Sequence, residues 1–207
     1  MTPEFESGSR LSIKDPRRFL RVSYDSLRDR FVRRLARPPN LGLLRWMPNL
    51  TDEHGLYFDQ DQWFVVHGQG FGTSINMPPE FPLSGESIMM HTHPSKQEGF
   101  FRLTVYEGSD DGSCVDVTSK YCAYPSPGDF RMSSRLSIQR TFVISDTGIT
   151  RFWPGTADER AWDYLEILWP GIRVERYEQL IKDVGAGLKI IPWDELNEEK
   201  LNQLFYH

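Results

Sequence analysis

Apolar residues recur at three- and four-residue spacing through Leu20, Tyr24, Leu27, Phe31 and Leu35, with Asp15-Pro16 ahead of them and Pro38-Pro39 behind. A capping acid, a first-turn proline and a proline stop frame one amphipathic helix over about 16–36, its arginines outward. Residues 38–52 read as a linker with an apolar anchor at Leu43, Leu44 and Trp46. Short apolar runs bounded by polar turns then predict buried strands at Gly55–Phe58, Trp63–His67 and Ser87–His91. Residues 107–120, rich in Gly, Ser and Asp, read as an exposed loop. A helix is expected from Pro127 to about Ile138, then a hairpin in which Thr141–Ser145 and Ile149–Trp153 flank Asp146-Thr147-Gly148. Val174, Tyr177, Leu180, Ile181 and Val184 mark another helix ending at Gly185, and a last one runs from Asp194 to Phe205. Alternating strands and helices make an α/β or α+β domain.

This pattern divides the chain into four stretches. Residues 1–14 are a disordered tail or cloning scar, and 15–49 hold the basic helix and linker. Residues 50–157 form the central domain with an insert at 95–125, and 158–207 form a C-terminal helical extension packed on the same domain.

Composition narrows the class. At 207 residues with 39% hydrophobic and 26% charged positions the chain is globular, which excludes disordered and fibrous readings. No apolar run is long enough to span a bilayer and no secretory pattern opens the chain, so a cytoplasmic protein is the default expectation, with delivery as an effector or toxin left open. The net charge of −5 is uneven: ten arginines and Lys14 against five acids give the first 50 residues +6, leaving −11 on the remainder. An arginine-rich face beside an acidic body favours docking within the molecule and disfavours nucleic acid. Cys114 and Cys122 are too few for a disulfide scaffold and too far apart for a C-x-x-C knuckle.

The chemistry concentrates at His91-Thr92-His93-Pro94. Residues two apart on a strand share a face, so both imidazoles can address one ion, and Pro94 ends the ladder where a pocket can open. Zinc held by two histidines needs a third protein ligand, for which a carboxylate is expected. Ser126-Pro127-Gly128-Asp129 offers one: Ser126 and Asp129 lie three apart on one face of a helix start. The same four residues also make an ordinary capped helix start. Cys114, Cys122, Asp110, Asp111 and Asp116 are the substitutes for Asp129. His54 and His67 lack a partner at ligand spacing and read as structural or surface histidines, while Trp153, Trp162, Trp169 and Trp193 read as residues that close the core.

Together these residues resemble the JAMM (MPN-plus) metalloprotease family, whose pattern is a glutamate on an early strand, then H-x-H-P, then S-x-x-D. Glu53, His91-Thr92-His93-Pro94 and Ser126-Pro127-Gly128-Asp129 match it in order, and Glu53-His54-Gly55-Leu56 is similar to the family's E-x-G-L. The resemblance spans about residues 50–155. It implies a three-layer, cytidine-deaminase-like mixed sheet flanked by helices, holding one zinc on His91, His93 and Asp129. It also implies Glu53 as general base and Ser126 as the group that steadies the tetrahedral intermediate. Glu86 is an odd number of residues from His91 and so faces away from it, and Glu80 sits among prolines, which favours Glu53. The S-x-x-D lies further from H-x-H-P than the family places it, with 31 residues, Ser95 to Pro125, between them. An insert of that kind costs little closure entropy and is suited to recognising substrate.

The function expected is zinc-dependent hydrolysis of an amide or isopeptide bond in a protein or peptide substrate, ubiquitin-like or a protein tail. Alternatives are a catalytically silent scaffold or interaction module of the same fold and, further off, a nucleic-acid-binding module using the arginine helix.

Overall fold

The structure is a computed structural model. It describes residues 26–27, 30–50, 53–59, 61–67, 86–94, 123–169, 172 and 174–206. The expected tail at 1–14, most of the insert at 95–125, the ligand substitutes Cys114, Cys122, Asp110, Asp111 and Asp116, and Glu80 lie outside these residues.

In chain order the described elements are β1 (Ser26–Leu27), β2 (Arg30–Arg34), α1 (Leu41–Trp46), β3 (His54–Asp59), β4 (Gln62–His67), β5 (Ile88–Thr92), α2 (Pro127–Leu136), β6 (Arg140–Ile144), β7 (Gly148–Trp153), α3 (Glu159–Leu168), α4 (Val174–Asp183), β8 (Gly187–Pro192) and α5 (Glu198–Tyr206). The strands form one mixed sheet in the order β1-β2-β4-β3-β5-β6-β7-β8. All neighbours are antiparallel except β5 and β6, which run parallel and are joined by the connection that carries α2. Among the described residues no helix is long and apolar enough to cross a membrane.

Alternation along the strands sorts the core into two layers of contact. Leu56, Ile88, Met90, Phe142, Ile144 and Ile149 pack with Leu44 of α1 and with Leu201 and Phe205 of α5. The next residue along β6, Val143, turns to the opposite face, where it meets Phe152, Phe130 of α2, Trp162 and Leu165 of α3, and Tyr177 and Ile181 of α4. Phe130 fixes α2 on this face, stacked on Trp162 at 4.7 Å and edge-on to Phe152 at 5.0 Å. Ion pairs from Arg131 to Asp163 and from Arg135 to Glu159 run along the outer side of α2 and α3.

The helix expected over 16–36 needs correction where it is described: residues 26–27 and 30–34 are strands, with β2 paired along β4 from Phe31↔His67 to Arg34↔Phe64. Helical spacing is worth a few tenths of a kcal/mol per residue, whereas β4 offers a row of backbone donors and acceptors that a strand satisfies. The pairing continues in the Leu35 N–H, which donates to the Trp63 carbonyl at 2.8 Å. The linker's apolar anchor is the helix α1, capped by the Asn40 side chain.

The segment expected to be a helical extension adds an edge strand as well as helices. β8 pairs with β7 from Gly148↔Pro192 to Trp153↔Gly187. Gly185 at φ 74 makes the turn out of α4 that allows this return. Trp162 is in the core as expected, but Trp153 is 39% exposed at the end of its strand.

A candidate metal centre at the end of the parallel strand pair

The H-x-H segment is held from both sides. Thr92, the residue between the histidines, is fully buried, and its hydroxyl accepts the backbone N–H of His54 on β3 at 2.9 Å. The His93 N–H donates to the Ile144 carbonyl of β6 at 2.9 Å. With Thr92 turned to one face, His91 and His93 turn to the other, at the C-terminal end of β5. That is the carboxyl end of the parallel pair β5 and β6, the end at which open sheets with parallel strands place their ligand crevice. The buried His54 takes the side of Thr92 and has no place among the ligands.

Asp129 reaches the same point from the first turn of α2. Ser126 caps this helix in a capping box: its hydroxyl accepts the Asp129 N–H, and its own N–H donates to Asp129 Oδ2 at 2.7 Å. The Ser126 hydroxyl also donates to Oδ2, at 2.8 Å. One carboxylate oxygen is thus committed to the cap, which leaves Oδ1 facing His91 Nε2 at 3.3 Å. His91 Nε2 and His93 Nε2 are 3.0 Å apart, and the donor atoms of all three residues lie within 4.8 Å of one another. Ligands about 2.0–2.1 Å from a tetrahedral centre are separated by about 3.3 Å. The two short separations therefore have the size of tetrahedral edges, and two imidazoles with one carboxylate are a donor set suited to a divalent transition metal. The three residues could hold such an ion.

Glu53 joins them from the position just ahead of β3. The register Gly55↔His91, continued by two residues, sets Glu53 opposite His93 on the same face. Its side chain is half-buried, and burial is the main cause that pushes its pKa up to about 7 from 4.5. The His91 charge opposes that rise and the Asp129 charge adds to it. In Asp129 burial acts upward but is outweighed by His91, His93 and Ser126, which hold the carboxyl well below the usual range. In His91 burial acts downward, yet the charge and hydrogen bond of Asp129, followed by Glu53, lift the imidazole to about 8. The five residues singled out in the sequence therefore meet in one place, and Glu86 lies exposed at the far end of β5.

Compared with models of protein families, with curated proteins and with solved structures, the chain finds no match in any of the three.

Two tyrosines of the site were missed in the sequence. Tyr57, 2% exposed, lies on the face of Glu53 and Gly55, and its ring folds back over Gly55 so closely that a Cβ there would come within 2.6 Å of Tyr57 Cε2. Burial first, then the charges of Asp129 and Glu53, hold its hydroxyl well above the usual tyrosine range. The available signal was its position two residues beyond the glycine of E-x-G-L, on the same strand face. Tyr177 approaches from α4, and nothing in the local sequence connects it to the histidines.

Proposed function

We propose that the chain is a zinc-dependent peptidase or isopeptidase of the JAMM (MPN-plus) kind, hydrolysing an amide or isopeptide bond in a protein tail or ubiquitin-like substrate. On this reading the sheet with helices on both faces is the cytidine-deaminase-like arrangement that the resemblance implies. The observation that carries the proposal is the convergence of Glu53, His91, His93, Ser126 and Asp129, drawn from three separated stretches, with two donor separations of tetrahedral size. A silent scaffold has no use for a half-buried carboxylate held near pKa 7, a state that costs stability and is characteristic of working sites.

His91, His93 and Asp129 would hold the zinc, which when bound supplies Lewis acidity, making a water more acidic and polarising a carbonyl. Glu53 takes a proton from the attacking water on a carboxylate oxygen and later delivers it to the leaving amine. Burial, which favours the protonated form, and the charge of the bound ion, which favours the carboxylate, act in opposite directions on this group. Asp129 holds Oδ1 toward the histidines because Oδ2 is fixed by the cap. The single proton of the Ser126 hydroxyl lies on Oδ2, so its donation to a reacting oxygen requires that bond to be exchanged while the Ser126 N–H keeps the carboxylate in place.

The test combines metal content with turnover of peptide-amide and isopeptide-linked substrates. One zinc per chain is expected, and Glu53→Gln keeps the metal while lowering hydrolysis by about 10²–10⁴-fold. A purified chain without stoichiometric metal, or a Glu53→Gln variant as active as the unmodified protein, would remove the reading.

A further inference from the structure

The three residues ahead of α2 are each tied to an element distant in sequence. Thr150 of β7 donates its hydroxyl to the Ala123 carbonyl at 2.5 Å. Tyr124 donates its hydroxyl to Glu178 Oε1 of α4 at 2.5 Å, and Tyr177 of α4 donates its own to the Pro125 carbonyl at 2.8 Å. Ala123, Tyr124 and Pro125 are buried, as are Thr150 and Tyr177. Buried carbonyls need a partner, and here the partners are one side chain of the sheet, Thr150, and one of the helix packed on its site face, Tyr177. The residue after Pro125 is Ser126, the cap, and three further on is Asp129. The start of α2 is therefore set by the sheet and by α4 as well as by its own capping box. Tyr177 is close enough to feel the site: burial, followed by the charges of Asp129 and Glu166, raises its hydroxyl well above the usual tyrosine range.

We propose that Tyr177, seconded by Thr150, is a positioning residue of the metal centre. Its hydroxyl, acting through the Pro125 carbonyl, places the start of α2 so that Asp129 Oδ1 stands opposite His91 and His93. The proposal rests on the metal-binding reading of the site and extends it to the C-terminal segment, which becomes part of the centre. Without the anchor, Ser126 and Asp129 still cap the helix, but the helix start is free to shift by fractions of an ångström, enough to open a ligand set whose donors must meet at about 2 Å from one ion.

A built-in control separates positioning from mere stability. Ser133, on the same helix, donates its buried hydroxyl to the Ile138 carbonyl at 2.8 Å. Ser133→Ala and Tyr177→Phe each remove one buried O–H donor to a carbonyl, the first at the end of α2 remote from Asp129 and the second at the end that carries it. Zinc affinity of the full chain, measured by competition with a chromogenic chelator, is expected to fall about 10–100-fold in Tyr177→Phe, the usual range for partners that orient ligands. It should stay within about twofold in Ser133→Ala, while both variants lower the melting temperature. Thr150→Val, close in shape, is the second variant and should also weaken zinc should Tyr177→Phe fail to fold. Equal zinc affinity in Tyr177→Phe and the unmodified chain, or equal losses in Tyr177→Phe and Ser133→Ala, would overturn the positioning role alone. Failure of the unmodified chain to bind zinc would overturn the metal reading and this proposal together.

Discussion

Glu53→Gln should stabilise the metal-free chain, and by an amount that depends on pH. The folded pKa of Glu53, about 7, lies above its unfolded value of 4.5, chiefly because of burial. The folded state therefore holds this proton more tightly than the unfolded one. The group's contribution is most favourable below pH 4.5 and is lost as the pH rises through 7. At 1.36 kcal/mol per pH unit, ionised Glu53 costs about 3 kcal/mol at pH 8 and under about 1 kcal/mol at pH 5. Glutamine keeps the size and removes the charge. Urea unfolding in the presence of a chelator should find the variant more stable than the unmodified chain at pH 8, by an amount that shrinks by about 2 kcal/mol at pH 5. At pH 8 a gain of about 3 kcal/mol corresponds to about 6–12 °C in melting temperature for a chain of this size. A stability difference that does not change between the two pH values, or one that grows towards low pH, would refute the argument that burial strains this carboxylate. Combined with the loss of hydrolysis expected above, the result would place Glu53 where a working residue is kept at the expense of the fold.

Zinc affinity should itself depend on pH, because the ion must displace the proton that His91 carries below about 8. Between pH 8 and pH 6 the affinity is expected to fall about 50-fold, with proton release visible by calorimetry in buffers of different ionisation enthalpy. A flat profile would exclude His91 as a ligand. Gly55→Ala puts a Cβ against the buried Tyr57 ring and should cost about 1–3 kcal/mol in denaturant unfolding. That cost should largely vanish in a Tyr57→Leu background, and an undiminished cost there would show that the strain lies elsewhere.

The candidate metal-ligand group of this chain was legible in its sequence because its signals are local. Two histidines two apart, followed by a proline, must share a strand face whatever surrounds them, and Ser-Pro-Gly-Asp starts a helix by its own capping bonds. The strands at 54–59, 62–67, 88–92, 140–144 and 148–153 announced themselves in the same way, as short apolar runs between turns. What local signals could not decide was pairing. The register Gly55↔His91 brings Glu53 opposite His93, and the parallel match of β5 to β6 forces a crossover that drops α2 onto the site face. Both are contacts between distant residues, with no trace in spacing along the chain. The same holds for Arg30–Arg34, whose helical periodicity gave way to the edge of β4, and for β8, a strand because β7 had an edge to fill. Tyr177 is the sharpest case. In sequence it is one apolar position of an amphipathic helix, and only the packing of α4 against residues 123–125 turns its hydroxyl towards the start of the helix that carries Asp129, since a buried carbonyl takes whichever donor the tertiary structure brings to it.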